Sequence, residues 1–212
     1  MAEEFKNVQD WAASNKMVIN YLKTKEIVFR KPHPTKYSLT PTYVEIELVH
    51  HVKLLGVFIS ENLYFERHVS ATIACCSHRF YLLKLLRDGG MSVNNLNVIF
   101  CSLVINRILY CLAVWGGFLN LDQVGRIDAV LKRARRYRIT KDLYCLAGLL
   151  AQADNRLFER AQNQNHCLHH LLPPLKTGYF NLRSHGHSFN LPRCRLELYR
   201  KSFFPRCLYN FL

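Results

Sequence analysis

Lys132, Arg133, Arg135 and Arg136 put four cations within five positions, and Arg126 stands earlier in the same segment. Guanidinium groups in such a run suit phosphate, because their planar donor fork matches two oxygens at once. Asp122 to about Arg138 has the periodicity of a helix capped by Asp122. At about 100° per residue, Val124, Ile127, Val130, Leu131 and Ala134 fall on one side, and the five basic residues occupy most of the other. The plain alternative is a solvated face, helped by cations near the negative end of the helix dipole. A solvated face ordinarily mixes signs, however, and these five are read as having no acidic partner among them.

A second group has the residue types of a metal site. His166, Cys167, His169 and His170 lie together, with His185, His187 and Cys194 further on. Zinc favours paired Cys and His ligands at short spacing on both sides of a loop, and Cys167, His170, His187 and Cys194 meet that loosely. Packed cysteines and capping histidines are the other reading, and no metal ligand is assigned. A nucleophile elbow, a Walker-type loop and a dinucleotide fingerprint are all missing, so no catalytic residue is assigned either.

The charge balance widens the first observation. Lys and Arg outnumber Asp and Glu by 29 to 15. Residues 1–106 carry 12 basic and 9 acidic side chains, whereas residues 107–212 carry 17 and 6. That concentration calls for a polyanionic partner, either nucleic acid or an anionic membrane surface. Val98 to Leu119 is long enough to span a bilayer, but Asn106 and Arg107 lie near its middle, and a central Arg costs about 2.5–3.5 kcal/mol on insertion scales. A buried core helix running from Ser92 to Trp115 is therefore expected, and no membrane partner. The acidic, polar start MAEEFKNVQDW is unlike a secretory signal, and the eight scattered cysteines read as reduced thiols. The expected compartment is nuclear or cytoplasmic, not secretory.

The positioning elements follow from pattern. Residues 2–17 read as a helix. Short strands are expected at 26–30, 44–49 and 52–59, the last interrupted by Gly56, which implies a bulge or a close backbone approach. KPHPTKYSLTP (31–41) is a loop. Val69, Cys76, Phe80 and Leu83 mark a helix stopped by Gly89-Gly90. Asp142 to Gln152 and Asp154 to Leu172 have weaker helical patterns, and the Arg- and aromatic-rich tail has no clear period.

Several blocks, taken in order, resemble the C-terminal part of reverse transcriptases from non-LTR (LINE-type) retrotransposons. WAASNKMVINYLKTKEIVF (11–29) looks like the helix and strand that follow the family's catalytic strand pair. KLLGVFISENLYFERHV (53–69) is similar to its primer-grip hairpin, with Leu-Gly at the turn. RFYLLKLLRDGG, INRILYCLAVWGGF and IDAVLKRARRYRIT look like its thumb helices, and HCLHHLLP, LRSHGHSFNLP and RKSFFPRCLY resemble the close of its reading frame. The family joins nucleotides with two divalent cations, Mg, held by carboxylates on an Asp-bearing strand and an Ala-Asp-Asp turn. Neither motif is present. Met1 falls shortly after the place of that turn, so the resemblance implies binding without catalysis and no cofactor in this chain.

The resemblance further implies that Lys53 and Gly56 meet a primer backbone and that the helix bearing Arg126, Lys132, Arg133, Arg135 and Arg136 tracks phosphates. Lys23 and Lys25 match a polar turn near the incoming nucleotide, with a solvated turn as the plainer reading. The expected fold is α+β and mostly helical: the end of a palm with a small antiparallel sheet remnant (1–60), a three-helix thumb-like bundle (61–140) and a basic C-terminal region (141–212). The expected function is that of a truncated reverse-transcriptase-like protein that binds RNA, DNA or their hybrid. The alternative is a non-catalytic interaction protein that keeps the fold without nucleic acid, with self-association or a separate catalytic half as its partner.

Overall fold

The structure, a computed structural model, describes residues 2–29, 46–176 and 188–210. The protein is mostly helical with a little sheet, an α+β fold, and it divides into two compact units, Met1–Phe65 and Glu66–Leu212. The 31–41 loop and the metal candidates His185 and His187 lie outside the described residues.

The first unit opens with α1 (Ala2–Ser14), whose Ala12 is buried while Trp11 is exposed. Asn20 then caps a single 3-10 turn, Tyr21–Lys23. The strands correct the expected antiparallel remnant in part, since one of the two pairings is antiparallel and the other parallel. β1 (Lys25–Glu26) pairs in parallel with β2 (Glu47–Leu48), as a sheet separate from β3 (His51–Leu54) and β4 (Val57–Ser60). Lys25 and Glu47 are register partners and form an ion pair, so opposite charges fasten the parallel ladder.

Residues 52–59, expected as one strand from pattern and as a hairpin turning at Leu-Gly from the resemblance, form a tight hairpin. Leu54 faces Val57, and Leu55 and Gly56 both take positive φ, 45° and 87°. Two positive φ values give the hairpin turn whose twist matches its strands, and glycine occupies its second corner without penalty. Gly56 is thus a turn residue, not a bulge.

The second unit begins with α2 (Glu66–Asp88), ended as its glycines foretell. Gly90 takes φ +85, and Met91 N donates to Leu86 O at 3.1 Å, closing a Schellman cap. Ser92 caps α3 (Val93–Phe100) as expected. The single apolar helix does not continue to Trp115, however. A π turn covers Cys101–Ile105, α4 (Asn106–Leu109) follows, and Cys111 at φ +54 breaks the chain before α5 (Leu112–Trp115). The break is satisfied internally: Trp115 Nε1 donates to Tyr110 O at 3.0 Å. Val93–Phe118 is long and apolar enough to span a membrane, and 39% of its most apolar window is buried in the protein.

α6 (Leu121–Arg136) is capped by Asn120 rather than by Asp122. Asn120 Oδ1 accepts from Gln123 N at 2.8 Å and Gln123 Oε1 accepts from Asn120 N at 3.0 Å, a reciprocal capping box. The helix ends in a second Schellman cap with Arg138 at φ +56. The two weaker patterns merge into one helix, α7 (Leu146–Ala161). Its start is held by the Cys145 thiol and by Asp128, whose Oδ1 accepts from Leu146 N at 2.7 Å. The tail forms α8 (Glu197–Lys201) and α9 (Phe203–Asn210), and Cys207 and Leu208 pack with Phe158 of α7.

α2 and α6 pack side by side and run the same way. Glu66 and Ser70 meet Arg126 near their starts, while Phe80, Lys84 and Arg87 meet Arg133 and Tyr137 near their ends. Parallel packing puts the negative ends of both helix dipoles together.

Candidate nucleic-acid interface

The five basic residues of α6 do not form one set. Arg126, its side chain 35% exposed, is committed to neighbouring side chains: Nη1 donates to Glu66 Oε1 at 2.5 Å, Nη2 donates to Ser70 Oγ at 2.7 Å, and Asp122 lies 3.7 Å away. The bond from Arg126, helped by Ser70 and Gln123, holds the Glu66 carboxyl below its ordinary range. This corrects the expectation that the five cations have no acidic partner: Asp122, one turn earlier on the same helix, is one such partner, and Glu66, sixty positions away, reaches α6 only through helix packing. Arg126 is a joint between helices rather than part of an open phosphate face.

Lys132, Arg133, Arg135 and Arg136 differ. Among the described residues none of them is ion-paired to a carboxylate, and Lys132, Arg135 and Arg136 are exposed. Arg133 lies over the Phe80 ring, 5.9 Å from its centroid, and Arg136 over Tyr137 at 5.4 Å. Lys84, from the neighbouring α2, stands 4.1 Å from the Tyr137 centroid. The hydrogen bond from Arg136 and the field of Lys84 hold the Tyr137 hydroxyl below its usual range. Lys84 and Tyr137 were missed from the sequence. Their signal is faint: Lys84 follows Phe80 by one helical turn, but nothing local says which helix α2 lies beside.

Several acids of this unit are engaged elsewhere. Asp88 accepts from Arg87 at 2.7 Å, Asp142 from Asn97 and Tyr144, and Asp154 from Arg206. Arg206 is largely buried, forked onto both Asp154 oxygens at 2.8 Å, and donates two further bonds to Lys201 O and Ala113 O. A Cβ at Gly117 would overlap that guanidinium, so the glycine clears its seat. Among the described residues these carboxylates are each held singly and offer no pair of the kind that shares two divalent cations.

In the first unit, Lys53 is exposed and lies 5.3 Å from the ring of Phe58, its partner across the hairpin. Gly56 forms the adjoining turn. Lys23 ends the exposed 3-10 turn, and Lys25 is tied to Glu47. Near the C-terminus, His166 Nδ1 accepts from Leu168 N at 3.2 Å and His169 Nδ1 lies 3.2 Å from Ala161 O. Both rings therefore serve local turns, and among the described residues no three His, Cys, Asp or Glu side chains converge.

Compared with protein-family models, with curated proteins and with solved structures, the chain matches none.

Proposed function

We propose that this chain is the non-catalytic part of a reverse-transcriptase-like protein and binds template–primer nucleic acid through its phosphates. The observation that carries the reading is the far half of α6. Four cations stand there without a carboxylate partner among the described residues, in a unit several of whose acids, Asp88 and Asp128 among them, are bonded elsewhere. Uncompensated cations on one surface favour a polyanion. The Leu55-Gly56 hairpin followed by a long helix, in the order that the resemblance implies, supports the same reading.

Binding of this kind is salt-sensitive and tolerant of sequence, because neutralised phosphates release counterions. Fluorescence anisotropy with an RNA–DNA hybrid over a salt series tests it. Log affinity falls linearly with log salt, and a variant with Lys132, Arg135 and Arg136 changed to Glu no longer binds. Equal binding by wild type and that variant, or an affinity indifferent to salt, overturns the proposal.

The interaction-protein reading has one observation in its favour. An apolar recess of about 520 Å³ lies among Val114, Leu157, Leu171, Phe203 and Phe204. Light scattering after size exclusion separates the two readings: a stable oligomer that ignores the hybrid supports this second one.

A further inference from the structure

We infer that Lys84, Arg133 and Arg136, gathered on the adjoining rings of Phe80 and Tyr137, form a seat for the phosphodiester backbone of a nucleic-acid strand, one that responds to charge and not to base identity. The inference rests on the nucleic-acid reading above and adds a second helix and a mode of contact to it.

The seat spans the coincident ends of α2 and α6. The Phe80 and Tyr137 rings meet edge to face with centroids 6.3 Å apart. Lys84 and Arg136 lie over Tyr137 at 4.1 and 5.4 Å, and Arg133 over Phe80 at 5.9 Å. The negative face of each ring holds its cation. The platform is itself fixed: Arg87 Nη1 donates to Tyr137 O at 2.8 Å, and the Schellman cap at Arg138 sets the chain direction. Cations restrained in this way lose little further freedom when an anion arrives.

The helix dipoles do not account for the whole charge. Each helix end supplies about half a negative charge, so the two coincident ends offset about one cation of the three. Arg87 is already matched by Asp88. The remainder awaits an anion carrying more than one charge.

The same geometry argues against stacking of bases. Base-stacking sites present open aromatic faces. Phe80 is buried, and Lys84 already lies over the Tyr137 ring.

The test uses labelled oligodeoxythymidine and oligodeoxyadenosine of equal length, together with an RNA–DNA hybrid, on the full chain. Lys84→Gln lowers affinity for all three several-fold and flattens the log–log salt slope by about 0.7–0.9, one phosphate contact. Lys84→Arg restores the slope. Tyr137→Leu, which removes the ring under Lys84, acts like Lys84→Gln; if that variant melts early, the Lys84 pair alone decides. The two homopolymers bind alike, since their phosphates are identical and the seat holds no base. If Lys84→Gln leaves affinity and slope unchanged while Arg135→Gln lowers both, the seat is wrong and the general reading stands. A homopolymer preference of about tenfold also overturns the seat, as evidence of stacking. If the wild-type chain binds none of the three, seat and reading fall together.

Discussion

The two ends of the α2–α6 pair use the same residue types in opposite ways. At the starting end Arg126 is forked between Glu66 and Ser70, and the capping box of Asn120 and Gln123 closes the turn beside it. At the finishing end Arg133 and Arg136 rest on aromatic rings, and among the described residues neither is ion-paired to a carboxylate. One helix thus carries arginines that hold the fold and arginines that face outward. Neighbours brought by the parallel packing of α2 decide which is which.

Arg206 takes the first of these roles furthest, and it supplies the largest expected effect. Its side chain is only 10% exposed and that of Asp154 6%. Asp154→Ala leaves a guanidinium buried without its counter-ion and lowers stability by about 3–5 kcal/mol. A thermal melt checks this. If Asp154→Ala melts as the wild type does, burial does not make an arginine structural here.

The next effect belongs to the starting end of the pair. His68 is 2% exposed against Trp115, ring centroids 4.8 Å apart. Burial first, and the charge of Arg107 second, lower its pKa to about 4. The unfolded chain therefore takes up a proton near pH 6.5 that the folded chain refuses until about pH 4. The His68 contribution is whole above pH 6.5 and is lost as the pH falls through that window, by at most about 3 kcal/mol. Denaturant titrations between pH 7 and 4 measure the loss, and His68→Gln flattens it. A wild-type stability that rises on acidification contradicts the assignment.

A smaller change sharpens the same end. Asn120→Ala removes the capping box and costs about 1 kcal/mol by denaturant midpoint. Asp122→Ala, at the position that sequence pattern favours as the cap, costs less than Asn120→Ala. The reverse order would return the cap to Asp122.

These contrasts trace what the sequence made legible. Periodicity located α2 and α6, because their buried stripes recur every three to four residues and Gly89-Gly90 stops the first. It also brought out the run Lys132 to Arg136. It failed where distant partners decide. The continuous apolar pattern from Ser92 to Trp115 hides the break at Cys111, which Trp115 stabilises by donating to the Tyr110 carbonyl. The two patterns on either side of Ala153 merge because Asp128 and Cys145 hold a single start for α7. Gly56 read as a strand interruption because alternation alone does not separate a bulge from a two-residue turn. Arg126 looked equivalent to Arg133 since nothing near it in sequence announces Glu66. Lys84 and Tyr137 stayed hidden for the same reason.

The most direct test sets Arg126 against Arg136 on one salt series with an RNA–DNA hybrid. Arg126→Gln is expected to lower the melting point slightly, an exposed pair contributing at most about 1 kcal/mol, and to leave the log–log salt slope where it was. Arg136→Gln is expected to leave the melting point and flatten the slope by about 0.9. If both variants change the slope alike, or if only Arg126→Gln does, the division of the helix pair into a structural end and a phosphate-facing end is contradicted.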